Sequence, residues 1–263
     1  MAWGVSDFLG GFVSRRAAAF AVVAASQAVG AVLAVAILAG ARPEVPPGRE
    51  LAFAAAAGGA GIVGLLCFYR ALAVGTMSLI APIASLGALV PLTVDLARGS
   101  SPGAVAIAGM FVALAGAALA ARAPGEVKLR GAGLAAVAAL GFGVFFTLLA
   151  EGSAQSAVWA MVAVRTGSAP LALAIALAVS ADWSSLRPVA WFVVACGTLD
   201  LTANLLFAEA SRGDLLSVVS VLGSLYPVVT VALATIMLGE RMGRLQAVGA
   251  AAALGGVAMI AAG

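Results

Sequence analysis

The sequence predicts an all-α integral membrane protein with ten transmembrane helices in two inverted five-helix repeats. Three observations carry that prediction. Hydrophobic residues make up 63% of the 263 positions and charged ones 10%, with a mean hydropathy of +1.15, too little polar material to cover a globule of this length in water. Apolar blocks of about 20 residues, the length that crosses a hydrocarbon core of about 30 Å, follow one another from end to end. The stretch SLGALVP at 85–91 returns as VLGSLYP at 221–227, offset by 136 positions, as a duplicated unit would leave it.

Charge, proline and glycine bound the ten blocks, which run over 1–14, 17–40, 51–74, 77–97, 103–122, 131–150, 156–180, 188–210, 214–239 and 244–262. The first, ending at Arg15 and Arg16, is short for a span. The second and third flank the loop RPEVPPGRE. Blocks four and nine carry prolines, Pro82 and Pro91 in one and Pro227 in the other, each removing a backbone N–H from the helical ladder. Freed carbonyls in lipid need another partner, so such breaks belong against protein or a wet cavity. Gly58, Gly61 and Gly64 in the third block, and Gly249 and Gly256 in the tenth, suit close helix approach. Trp159, Trp183 and Trp191 lie near block ends and suit the interface. The connections are brief, so one membrane domain is expected: a first repeat over 1–122, a linker at 123–130 and a second repeat over 131–263.

Further correspondences extend the duplication. Trp3-Gly4 answers Phe142-Gly143, Gln27 answers Arg165, and Gly109 and Gly116 answer Gly249 and Gly256, at offsets of 138 to 140. Five segments per unit is an odd number, so the second copy enters the membrane upside down. Basic residues between blocks divide unequally: Arg15, Arg16, Arg122, Lys128, Arg130, Arg187, Arg241 and Arg244 on one side, Arg42, Arg49, Arg98 and Arg212 on the other. The positive-inside rule then places both termini outside.

Absences narrow the chemistry. Without histidine there is no Ser-His or Cys-His catalysis, haem ligation or His-based metal site, and without a GK[ST] sequence no Walker-type ATP hydrolysis. Cys67 and Cys196 lie in apolar blocks without metal-site spacing. Neither an enzyme nor a cofactor or metal is expected, and the basic balance (net +3) reads as topology and headgroup contact rather than nucleic-acid binding.

At this point WGVSDFLGGFVSRR, FYRALAVGTMSLIAPIASLGALVP, DLTANLLFAEASRGDLLSVVSVLGSLYPVVTVALATIMLGER and the Gly-rich last block together resemble the EamA-type branch of the drug/metabolite transporter superfamily, over nearly the whole chain. The resemblance implies ten helices in inverted repeats, a central cavity, and export or exchange of small metabolites. It also implies both termini in the cytoplasm, against the charge count. Where the second half has Leu-Gly-Glu-Arg at 238–241, the first has Arg98-Gly99-Ser100-Ser101, so Glu240 lacks a counterpart.

Candidate site residues are the polar groups placed deep, where a charge costs about 2.5 to 3.5 kcal/mol on insertion scales. Asp7 sits among apolar neighbours and suits a cation or a proton; its structural alternative is a wet helix end. Arg165 lies nine residues into its block, opposite Gln27 in the repeat, and suits a bidentate anion clamp or an ion pair with Asp7 or Asp200. Asp200 and Asn204, four apart, share a helix face that either lines a cavity or seals two helices together. Tyr226 beside Pro227, and Tyr69, are candidate aromatic contacts. Glu209, Arg212 and Arg70 are placed to snorkel.

The expected function is a secondary, non-ATP transporter in the cell's inner membrane, multi-pass, exporting or exchanging a small polar metabolite or drug by alternating access. Its partners would be that small-molecule substrate, a proton as candidate co-substrate, the lipid bilayer and, as a candidate, a second copy in a homodimer. The rival classes are a non-transporting membrane assembly or structural partner and, behind it, a membrane-embedded enzyme.

Overall fold

The computed structural model describes residues 2–99, 103–120, 130–213, 216–224, 226–238 and 243–262, and these form α-helices with short 3-10 turns and no strand. In chain order they are α1 (Ala2–Val13), α2 (Ala19–Ala41), α3 (Gly48–Val74), α4 (Met77–Ser85), α5 (Leu89–Ala97), α6 (Ala104–Ala120), α7 (Ala132–Gly152), α8 (Ala157–Ala178), α9 (Ala190–Ala210), α10 (Leu216–Gly223), α11 (Tyr226–Leu238) and α12 (Arg244–Ala262).

Five stretches are long and apolar enough to cross a bilayer: α2, α3, α7, α8, and α9 with the 3-10 turn Ser184–Val189 ahead of it. Shorter apolar helices, including α6 and α12, accompany them. Outward faces are apolar as well. Val32, Phe111, Leu140, Trp191 and Ile236 are each at least 63% exposed, a surface that lipid solvates and water does not.

Local chemistry sets the ends. α2 stops where Arg42 turns left-handed (φ 46°) and donates its N–H to Leu38 O, with Pro43 next. Gly131, at φ 92°, starts α7 in a conformation that favours glycine. The Ser156 hydroxyl caps α8 by accepting from the Trp159 N–H at 3.3 Å. Ahead of α9, Asp182 accepts from the Ser184 hydroxyl at 2.6 Å and its N–H at 2.9 Å, and these bonds hold the Asp182 carboxyl below its usual range.

Of the proline-bearing blocks, the fourth and the ninth are each broken, whereas α8 runs on through Pro170. A 3-10 turn at Leu86–Ala88 separates α4 from α5, three residues before Pro91, and a turn at Ser224 separates α10 from α11 just before Pro227. Both prolines fall in the first turn of the helix that follows, where a missing N–H leaves no intrahelical bond unmade. The Asp95 carboxylate, at the end of α5, crosses to the start of α10 and accepts from the Ser217 N–H at 2.8 Å.

Packing is reciprocal. α3 lies against α7 and α8; α9 lies against α1 and α2; α2 meets α8; and α6 meets α12 in the most extensive helix contact of the molecule. In that last pair a Cβ on Gly109 would meet Gly256 O at 2.4 Å, and one on Gly116 would meet Gly249 O at 2.7 Å, so backbone touches backbone. The two larger of three apolar clusters fill most of the interior among the described residues. One gathers Phe8, Val22, Phe68, Tyr69, Leu72 and Ile80; the other gathers Ala54, Phe146, Leu149, Met161, Leu201 and Phe207. The Leu-Gly-Glu-Arg segment around Glu240, and most of the expected linker, lie outside the described residues.

Candidate functional site

Halfway along the long helices, between these clusters, a cavity of about 60 Å³ opens among α1, α2, α3, α7, α8, α9 and α11. It has room for about four waters. Its lining mixes apolar groups (Ile62, Leu65, Val164 and the rings of Trp3, Phe142, Phe145, Phe146 and Tyr226) with Asp7, Gln27, Arg165, Ser168, Asp200 and Asn204.

The polar groups form one connected chain. Arg165 Nη2 donates to Asp200 Oδ2 at 2.8 Å, and Arg165 Nη1 donates to Gln27 Oε1, which also accepts from the Ser168 hydroxyl at 2.8 Å. On α9, Asn204 Nδ2 donates to the same Asp200 oxygen at 3.2 Å, and Asn204 Oδ1 accepts from Trp3 Nε1 at 3.0 Å. Four helices, α1, α2, α8 and α9, contribute to the network, and each link is a contact between side chains. Arg165 is 4% exposed, so the guanidinium escapes the cost of an isolated buried charge only because Asp200 lies against it.

Two polar atoms at the cavity are left over. Arg165 Nε has no acceptor, and it faces Gly30, where any Cβ would sit 3.0 Å away; the Tyr226 hydroxyl has no partner either. The Asp7 carboxylate, on a residue only 7% exposed, accepts no hydrogen bond and makes no ion pair among the described residues.

Six of the seven residues singled out from sequence therefore share this cavity: Asp7, Gln27, Arg165, Asp200, Asn204 and Tyr226. Tyr69 lies elsewhere. Its hydroxyl is 2.9 Å from Cys196 Sγ and donates to Ser6 O at 3.4 Å, while the Ser6 hydroxyl donates to Cys196 O at 3.0 Å, so these three tie α1, α3 and α9 together beside the cavity. Gly10 makes that possible, since a Cβ there would land 2.0 Å from Tyr69 Cζ. Of the two ion pairs considered for Arg165, the one with Asp200 forms. Glu209 and Arg212 pair with each other at 2.9 Å at the end of α9, exposed, as residues that snorkel do.

Sequence reasoning passed over Trp3 and Ser168 as site residues. Each carried a signal, for Trp3 stands four before Asp7 and Ser168 three after Arg165, spacings that put both on the face already chosen. The cavity's phenylalanines had no signal separable from core.

A model of the EamA-like transporter family matches residues 129–262. Among solved structures, a crystal structure described only as that of a protein matches with a TM-score of 0.68 at 18% identity, over 98% of this chain and 94% of the other, a likeness of fold. No curated protein matches.

Proposed function

The chain belongs to the EamA-like transporter family, and from that premise we propose that it is a secondary carrier of the cell's inner membrane, exporting or exchanging one small polar metabolite or drug by alternating access. Family membership makes it a multi-pass membrane protein with a transport role and a small-molecule substrate. The finer reading is ten spans, counting α4 with α5 and α10 with α11 as one each, in inverted repeats over 1–122 and 131–263, with 123–130 between them.

The reciprocal packing supports the inverted arrangement. Under a two-fold axis in the membrane plane, each contact of one repeat recurs with roles exchanged. α3 on α7 and α8 then corresponds to α9 on α1 and α2, and equivalent helices meet as α2 with α8 and α6 with α12. The glycines agree: Gly109 and Gly116, which answer Gly249 and Gly256 in sequence, touch them crosswise, Gly109 on Gly256 and Gly116 on Gly249.

The observation that carries the carrier reading is the buried chain Trp3–Asn204–Asp200–Arg165–Gln27–Ser168 along a cavity midway between the helix ends. Polar groups this deep in an apolar bundle are costly as packing devices, and a pathway for a polar solute needs them. Arg165 and Gln27 form the polar walls, Tyr226 the aromatic contact, and Asp7 or Asp200 the protonatable group if a proton gradient drives the cycle; otherwise the substrate's own gradient does. Flux in proteoliposomes tests this. The wild type moves at least one solute among amino acids, sugars, nucleotides and cations, and, if Asp200 is the group that titrates, Asp200→Asn abolishes its proton-coupled component. Absence of flux for every class overturns the carrier, and an unchanged rate and pH response in Asp200→Asn removes Asp200 from the coupling.

A further inference from the structure

The cavity's charged groups are not equally available to a solute. Among the described residues, three side chains of formal charge line it: Asp7 from α1, Arg165 from α8 and Asp200 from α9. Arg165 binds Asp200 through one terminal nitrogen and Gln27 through the other, and its third nitrogen, Nε, is turned to the backbone of α2 at Gly30. An anion would meet a guanidinium whose charge Asp200 already neutralises, and could claim that charge in full only by stranding a carboxylate that shares its Oδ2 with Asn204. Asp7 has nothing to give up. Its carboxylate is unpartnered among the described residues, so its cost of burial is not yet offset and a cation arriving there displaces no bond.

The rest of the wall agrees. Trp3, Phe142, Phe146 and Tyr226 offer ring surfaces, which attract a cation electrostatically, and the unpartnered Tyr226 hydroxyl can accept from an ammonium N–H. Two carboxyl groups against one guanidinium leave one carboxyl over among the described residues of the wall, the complement of a monovalent cation.

Resting on the carrier reading above, we infer that the cargo is a small monovalent organic cation of the ammonium type, its charged nitrogen on the Asp7 carboxylate and its apolar body on the rings, while Arg165, Asp200 and Gln27 stay joined as a neutralised wall. The arrangement binds cargo by one unpaired carboxyl and disfavours anions by keeping Arg165, the cation among the described residues of its wall, neutralised by Asp200.

The test uses three probes of one size, n-butylammonium, n-butanol and butanoate, titrated calorimetrically into the full chain in nanodiscs at neutral pH. The ammonium binds at least ten-fold more tightly than the alcohol, and butanoate more weakly than either. Asp7→Asn removes the ten-fold preference, and Asp7→Glu, which restores the charge, recovers part of it. Butanoate binding more tightly than butylammonium in the wild type overturns the inference whatever the variants do, as does a preference that survives Asp7→Asn in protein that still unfolds cooperatively. Flux separates this from the carrier reading. Butanoate bound and carried across proteoliposomes overturns the cation class and leaves the carrier standing, whereas butylammonium bound without flux of any solute overturns the carrier and leaves the cation site.

Discussion

Replacing Gly58 by alanine destabilises the protein, and replacing its neighbour Gly59 stabilises it. Both lie within α3, and in a helix interior Gly→Ala gains about 0.8 to 1 kcal/mol from backbone entropy. At Gly59 nothing lies within 4 Å of the new Cβ, so that gain stands alone. At Gly58 the Cβ lands 2.0 Å from Val164 O and 2.9 Å from its carbonyl carbon, on the backbone of α8. Ordinary contact is about 3.5 Å, so α3 and α8 must part by about 1.5 Å at a crossing that forms the cavity wall. Overpacking of this kind costs about 1 to 3 kcal/mol, more where backbone rather than side chain must yield, and it exceeds the entropic gain. For a chain of this size each kcal/mol moves the unfolding midpoint by about 2 to 4 °C. Net of the entropic gain the loss at Gly58 is up to about 2 kcal/mol, so thermal unfolding in detergent shows Gly59→Ala raised by about 2 to 4 °C and Gly58→Ala lowered by up to about 8 °C. Gly167→Ala resembles Gly58→Ala, because its Cβ would meet Ala55 O at 2.0 Å across the same seam. If Gly58→Ala melts at or above Gly59→Ala, the close approach of α3 to α8 is not what the glycine provides, and the cavity wall drawn from it is wrong.

Three other outcomes follow from the contacts. Arg165→Ala strands Asp200 and costs about 3 to 5 kcal/mol, whereas the charge-neutral double change Arg165→Gln with Asp200→Asn costs less than the two single changes together; a double-mutant cycle in denaturant reads the difference. Tyr226→Phe removes a hydroxyl without a partner, so stability is unchanged or rises by up to about 1 kcal/mol while butylammonium affinity falls; lost stability with unchanged affinity would contradict both halves. Ser156→Ala deletes the cap of α8 and costs about 1 kcal/mol in the same melting assay, with no change in cargo selectivity.

Much of the molecule was legible before any coordinates. Hydropathy and charge spacing are local properties, and the apolar blocks set the described helix ends to within a few residues for α2, α3, α7 and α8. That Asp7, Arg165, Asp200 and Asn204 fall inside apolar blocks was equally readable, and the structure brings all four to one cavity. The breaks in the fourth and ninth blocks were foreshadowed by Pro91 and Pro227, though their positions, at 86–88 and 224, were not: each break comes ahead of its proline, which then falls in the first turn of the next helix, where its missing N–H is not needed.

Which deep groups would meet could not be read from the chain. Arg165 was equally suited to Asp7 and Asp200, which lie 158 and 35 positions away, and only the crossing of α8 with α9 and α2 selects Asp200, leaving Asp7 open to the cavity. Tyr69 carries the same side chain as Tyr226 but faces Ser6 and Cys196, because Gly10 lets its ring press on α1. By itself, then, the sequence determined the solvent, the helices and which polar residues fall inside apolar blocks, since those depend on neighbours along the chain. Partnership was decided by tertiary structure alone, because a hydrogen bond is made or lost within about 1 Å and no local pattern encodes the approach of two helices to that precision.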